Sequence, residues 1–208
     1  MDKPKIACTP NGPYLLKDTA NLRRASGEAY PAAQSVALCR CGGSNDKPFC
    51  DGTHGKIGFK DDNTADSRKN KRRTYVGKGI TIFDNRAICA HAAFCTDELA
   101  PVFRHHDTPW IDPDGAEMSR ITEVICKCPS GALSYAIEGV EAQPPQRAPM
   151  VTVTDNGPYA VTGGVELLGV KLGDGASPEH YTLCRCGASK NKPFCDGSHW
   201  DVGFRDPT

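Results

Sequence analysis

Leu38-Cys-Arg-Cys-Gly42 and Lys47-Pro-Phe-Cys-Asp-Gly-Thr-His54 decide how this chain is built, because both stretches recur 145 residues later as Leu183-Cys-Arg-Cys-Gly187 and Lys192-Pro-Phe-Cys-Asp-Gly-Ser-His199. The register extends outward in both directions. Gly12-Pro-Tyr14 matches Gly157-Pro-Tyr159, and Gly58-Phe59 matches Gly203-Phe204, with no net insertion. Two copies of one module therefore flank a different segment. Each copy opens with a short β-type stretch, Lys5–Cys8 or Val151–Thr154, followed by an Asn-Gly turn signal and a second strand candidate. Cys8 aligns with Val153, which marks it as a small buried hydrophobe rather than a ligand.

Each copy offers the donors Cys-x-Cys, eight residues, Cys, three residues, His. They are Cys39, Cys41, Cys50 and His54 in the first copy, and Cys184, Cys186, Cys195 and His199 in the second. Cys-x-Cys puts two sulfurs on neighbouring extended positions. The second cysteine–histidine pair shares one helical face if Pro48 or Pro193 opens a short helix. Judged by donor type alone, a tetrahedral zinc site and an iron–sulfur site stand level.

The full pattern, Cys-x-Cys-x₂-Ser-x₃-Pro-x-Cys-Asp-Gly-(Thr/Ser)-His, separates them, with Ser44, Ser189, Pro48 and Pro193 in place in both copies. It resembles the CDGSH (NEET-type) iron–sulfur domain. The resemblance implies a [2Fe-2S] cluster in each repeat, one iron on Cys39 and Cys41 (or Cys184 and Cys186) and the other on Cys50 and His54 (or Cys195 and His199). It also implies an intramolecular pseudo-dimer, because the family pairs its domains across a two-fold axis. Phe59 and Phe204 are then expected at equivalent core positions. Asp51 and Asp196 are expected to satisfy local backbone N–H groups rather than bind iron.

The segment between the repeats carries Cys89, Cys95, Cys126 and Cys128, the last followed by proline. This resembles half of a bacterial ferredoxin in its divergent, single-cluster form. Cys89 and Cys95 have the outer spacing of the first ligand group, Cys128-Pro129 supplies the distant ligand, and Ala92 stands where the second cysteine belongs. Three thiolates with an empty corner imply a [3Fe-4S] cluster. A [4Fe-4S] cluster follows if His91 or Cys126 serves as fourth ligand. Ile121, Val124 and Ile125 mark one face of a helix before Cys128.

The expected class is α+β: a first CDGSH domain over 1–62, a ferredoxin-like domain over 74–142 and a second CDGSH domain over 150–208. Arg68–Arg73 is a basic linker or a docking patch, Gln143–Pro149 a stiff second linker, and His105-His106 part of a polar loop. Over 208 residues Lys plus Arg and Asp plus Glu are 25 each, so no positive field recruits nucleic acid or an anionic membrane. The 11 cysteines cluster instead of forming a disulfide framework, and 21 glycines and 16 prolines interrupt any large apolar core. A start of Met1-Asp-Lys-Pro-Lys lacks a signal segment, and the reading is a cytoplasmic monomer with internal pseudo-two-fold symmetry.

Three clusters in a small chain point to single-electron transfer with a redox protein partner. Transfer of a cluster or iron to an apo iron–sulfur acceptor, or redox sensing, is the alternative. An oxidoreductase with its own substrate ranks third, since no dinucleotide fingerprint or nucleophile–base motif is present and no catalytic residue is assigned.

Overall fold

A computed structural model describes residues 4–17, 21–64 and 70–206. Parts of the expected N-terminal start and of the basic linker (residues 1–3 and 65–69) lie outside the described residues. The first repeat contributes β1 (Lys5–Cys8), β2 (Tyr14–Lys17), β3 (Leu22–Arg24), β4 (Ser35–Leu38) and the one-turn helix α1 (Thr53–Lys56). The middle segment contributes β5 (Arg73–Val76), β6 (Ile80–Asp84), α2 (Phe94–Glu98), α3 (Met118–Cys126), β7 (Leu133–Ile137) and β8 (Val140–Glu141). The second repeat supplies β9 (Met150–Val153), β10 (Tyr159–Thr162), β11 (Glu166–Leu168), β12 (Tyr181–Leu183) and α4 (Ser198–Asp201). The repeats are thus small β-rich modules.

The Asn-Gly signals turn the chain as expected. Asn11 and Asn156 take the left-handed conformation at φ 50° and 51°, and β1–β2 and β9–β10 pair as antiparallel hairpins across them. The third strand of each repeat then leaves its own sheet. β3 pairs in parallel with β9, Leu22 opposite Val151, while β11 pairs in parallel with β1, Leu167 opposite Ile6. The resulting sheets run β11-β1-β2-β4 and β12-β10-β9-β3. Each contains a strand of the other repeat, so neither sheet is complete without both copies.

Alternation along these strands sends Ile6, Tyr14, Leu16, Val151, Tyr159 and Val161 into one shared apolar core. At its centre the Tyr14 and Tyr159 rings meet edge to face, centroids 6.0 Å apart. Tyr14 donates its hydroxyl to the carbonyls of Cys184 and Pro193, both at 3.0 Å, and Tyr159 donates to those of Cys39 (2.8 Å) and Pro48 (3.0 Å). Burial pushes both phenols well above their ordinary pKa, which keeps them donors. Phe59 and Phe204 are buried at equivalent positions, each also facing the other repeat's lysine, Lys192 or Lys47.

The middle segment forms a third sheet, β5-β6-β7-β8, with α3 laid on it. Ile121, Val124 and Ile125 face inward from α3 onto Ile80, Ile82 and Leu133, as the spacing predicts. Among the described residues no helix is long and apolar enough to cross a membrane.

Tyr14→Phe and Tyr159→Phe each take the hydroxyl donor from the Cys184 or Cys39 carbonyl of the opposite repeat, while the Pro193 and Pro48 carbonyls keep the N–H of Cys184 and Cys39. Each is expected to cost about 1–3 kcal/mol of stability in chemical unfolding, and the two costs should be similar because the contacts are reciprocal.

Candidate metal centres

Both repeats bring their four donors together as two pairs. Cys39 Sγ lies 3.9 Å from Cys41 Sγ, and Cys50 Sγ lies 3.4 Å from His54 Nδ1. In the second repeat the same separations are 3.7 Å for Cys184–Cys186 and 3.4 Å for Cys195–His199. Metal–sulfur and metal–nitrogen bonds of about 2.3 and 2.0–2.1 Å at tetrahedral angles require edges of about 3.8 Å for S···S and about 3.6 Å for S···N. Each pair therefore fits two ligands of one metal. Each set thus presents its donors as two pairs, and among the described residues no group of three or more is close enough to hold one ion.

The cysteine–histidine pair forms differently from the expected shared helical face. Phe49 and Phe194 lie in extended backbone bridged to Leu38 and Leu183, and α1 and α4 begin only at Thr53 and Ser198. Gly52 and Gly197, at φ 85° and 87°, turn the chain between the two donors. The turn, and not a helical repeat, presents the imidazole Nδ1 to the sulfur.

Polar side chains fix the loop around these donors. Asp51 accepts from the N–H of Asn45 (2.9 Å) and of Thr53 (3.0 Å), which holds its carboxyl well below the ordinary range. Asp196 does the same with Lys190 and Ser198. Buried Ser44 and Ser189 donate to the carbonyls of Phe49 and Phe194, both at 2.7 Å. The N–H groups of Gly43 and Ala188 point at Cys41 and Cys186 Sγ, both at 3.4 Å, where they stabilise thiolate charge.

Sequence reasoning passed over Arg40 and Arg185, the residues inside Cys-x-Cys. Both are buried, 3% and 1% exposed. Arg40 pairs with Asp61 at 2.8 Å, and Arg185 pairs with Asp206 and reaches the Thr154 carbonyl at 2.6 Å. They tie each donor loop to the carboxylate after Phe59 or Phe204. Their repetition with Asp61 and Asp206 at the same offset was the available signal.

In the middle module, Cys89, Cys95, Cys128 and His91 line one cavity of ≈ 170 Å³, with Ala92 on the same wall. Left-handed His91 (φ 52°) and Ala93 (φ 65°) curl the loop between the two cysteines around it. Cys126 lines a different cavity, beside Tyr135 and Pro144, because it ends α3 on the side away from Cys128. Burial pushes the Cys89 thiol up to about 12 against the pull of Arg86, and burial followed by the charge of Cys128 raises Cys95. Metal binding overcomes such values by replacing the thiol proton. Arg86, another residue the sequence did not reveal, stacks on Trp110 and lies 3.6 Å from Cys89 Sγ and 3.5 Å from His91 Nε2. Asp84 is fully buried on the same cavity. Its Oδ2 accepts from Trp110 Nε1 at 3.2 Å, while its Oδ1 has no partner.

Residues 11–55 and 156–200 match the family model described as iron-binding zinc finger CDGSH type, and residues 75–138 match the divergent 4Fe-4S mono-cluster model. The four-iron description stands against the three-iron centre expected in the middle. The chain is also 40% identical over 63 residues to a protein described as uncharacterized protein YjdI, from Escherichia coli K12 and from strain O157:H7. That stretch spans 30% of this chain and 83% of the relative. No solved structure matches.

Burial raises the Asp84 pKa to about 6, with Arg86, the Trp110 hydrogen bond and Arg73 opposing it. Because the folded value exceeds the unfolded one, its contribution is complete below about pH 4 and is lost as pH rises through about 6. Asp84→Asn should remove that loss and raise stability at pH 7.5 by about 2 kcal/mol. Unfolding curves from pH 4 to 8 check it.

Proposed function

We propose, from the premise that this chain belongs to the CDGSH iron–sulfur family and carries two such domains around a divergent single-cluster ferredoxin domain, that it is a three-centre carrier of single electrons. The repeats act as an intramolecular pseudo-dimer, one [2Fe-2S] cluster on Cys39, Cys41, Cys50 and His54 and one on Cys184, Cys186, Cys195 and His199. The ferredoxin-like α+β module is inserted between them. Cys89, Cys95 and Cys128 hold its cluster, a [4Fe-4S] form whose thiolate-free corner is lost on oxidation to leave [3Fe-4S]. When bound, such clusters each change charge by one electron without a substrate pocket.

The observation that carries this reading is the succession of the donor sets. Cys41 and Cys186 are bridged backbone to backbone, and Gly42 and Gly187 are open enough for that approach: a Cβ on either would lie 2.4 Å from the opposing cysteine carbonyl. Cys195 in turn lies within the electrostatic reach of Cys89. The residues of the chain supply the rest. N–H groups and Arg86 offset thiolate charge, and the shared tyrosine-locked core holds the sets in fixed register.

A competing reading, donation of a cluster to an apo acceptor, is favoured by the partial exposure of Cys50 and His54. Mixing oxidised holoprotein with reduced ferredoxin, and separately with apo-ferredoxin, separates the two. Electron transfer predicts bleaching of the holoprotein as the ferredoxin is reoxidised, with iron content unchanged. Iron moving to the apo acceptor faster than electrons arrive from the reduced one overturns it.

Ala92→Cys should supply the missing thiolate. Mild oxidation should then generate the [3Fe-4S] EPR signal in the wild type and little or none in the variant.

Replacing one thiolate by neutral imidazole makes each repeat's cluster easier to reduce. Its potential should fall between about −400 mV for plant-type centres and about −150 to +300 mV for two-histidine centres. His54→Cys and His199→Cys should each lower it, as read by redox titration.

A further inference from the structure

The two repeated donor sets have the same internal geometry, and their Cys-x-Cys pairs the same burial, but their cysteine–histidine pairs differ in surroundings. In the second repeat Asn191, Cys195, Gly197 and His199 are buried; at the matching positions of the first, Asp46 and Gly52 are exposed, and Cys50 and His54 are half-buried. The covering comes from the middle module. Asn191 Nδ2 donates to the Ala87 carbonyl at 2.9 Å, and Trp200 Nε1 donates to the His91 carbonyl at 3.3 Å. The His91 ring lies so close over Gly197 that a Cβ there would sit 2.7 Å from its Cγ and Nδ1. Among the described residues the first repeat has no counterpart to this contact. Among the described residues no atom comes within 4 Å of a Cβ built on Gly52 or on Gly55, the residue that matches Trp200.

We infer that the two CDGSH sites have divided roles: the second has its cysteine–histidine side covered by the middle module, and the first is the site that external reagents and partners reach more readily. The inference rests on the iron–sulfur reading of both sets and adds which of them meets the outside. A symmetric protein would offer two equal sites. Among the positions at which the two loops differ, Asn191 for Asp46 and Trp200 for Gly55 are those whose side chains hold the middle module in place. An amide can donate to the Ala87 carbonyl, whereas a carboxylate at that position would face it acceptor to acceptor. Glycine at position 200 would offer no indole N–H. The substitutions thus account for docking on one repeat only.

The test is chelation of iron by bathophenanthroline disulfonate from anaerobic, reduced holoprotein at pH 8, followed by the coloured ferrous complex and by EPR. Cys184→Ser/Cys186→Ser keeps only the first CDGSH site, and Cys39→Ser/Cys41→Ser keeps only the second. The retained first cluster should be lost about tenfold faster than the retained second cluster, as expected if the covering must open locally before the chelator enters. Asn191→Asp/Trp200→Ala, which gives the second loop the character of the first without touching a donor, should bring the second rate to within about twofold of the first. In the unmodified protein, the EPR signal of the slowly lost cluster should be the one broadened by the reduced middle centre.

Equal rates for the two retained clusters, or faster loss of the second, would overturn the inference. So would equal broadening of both signals in the unmodified protein, a measurement that needs no variant to fold. Failure of the underlying reading looks different, since a protein without iron–sulfur clusters has neither a ferrous complex to develop nor an EPR signal to follow.

Discussion

The structure depends on one reciprocal interaction: each repeat's buried tyrosine holds the donor loop of the other. Tyr14 and Tyr159 place their hydroxyls on the carbonyls of the first loop cysteine and the loop proline across the core, and the two rings meet edge to face between them. A buried carbonyl left without a donor costs free energy comparable to a lost hydrogen bond. Each loop is therefore stabilised by the tyrosine of the other repeat. The crossing of β3 and β11 into each other's sheets extends the same dependence to the backbone. Modules of about 60 residues are only marginally stable on their own core, and here sharing a core across copies adds to what metal binding would contribute.

Upon this near-symmetric base the middle module imposes a direction. It leans on the second repeat through Asn191 and Trp200 and brings the cavity of Cys89, Cys95 and Cys128 alongside Cys195. The pairing of half-buried Arg147 with buried Glu179, at 2.7 Å, and the bond from Arg147 to the Cys126 carbonyl, at 2.8 Å, tie the second linker to the same side. Near-identical loops thus acquire different exposures through contacts made by a few residues outside the donor set.

The donor sets, the first strands, the Asn-Gly turns and the buried face of α3 were legible in the sequence, because each rests on spacing along the chain. The 145-residue register carried most of that information; it set Cys8 apart from the donor sets, and Cys8 packs against the shared core. Features that depend on contacts between distant residues were not legible. The exchange of β3 and β11 leaves no local signal, since three-residue strands such as Leu22–Arg24 show no usable alternation. Pro48 and Pro193 suggested helices that instead start five residues later, after the left-handed glycines. Arg40 and Arg185 were passed over between the ligands, and only the fold brings Asp61 and Asp206 to them. Spacing likewise kept Cys126 beside Cys128 as a donor, whereas the end of α3 directs the two to different cavities.

The central claim is that each repeated set holds a pair of irons and not a zinc ion. Mössbauer spectroscopy of protein produced with ⁵⁷Fe, combined with zinc and acid-labile sulfide analysis, tests it most directly. The account predicts about eight irons per chain after anaerobic isolation, about half of them in two-iron centres whose iron sites are inequivalent, with no stoichiometric zinc. About two zinc ions per chain, with sulfide sufficient only for the middle centre, would contradict it.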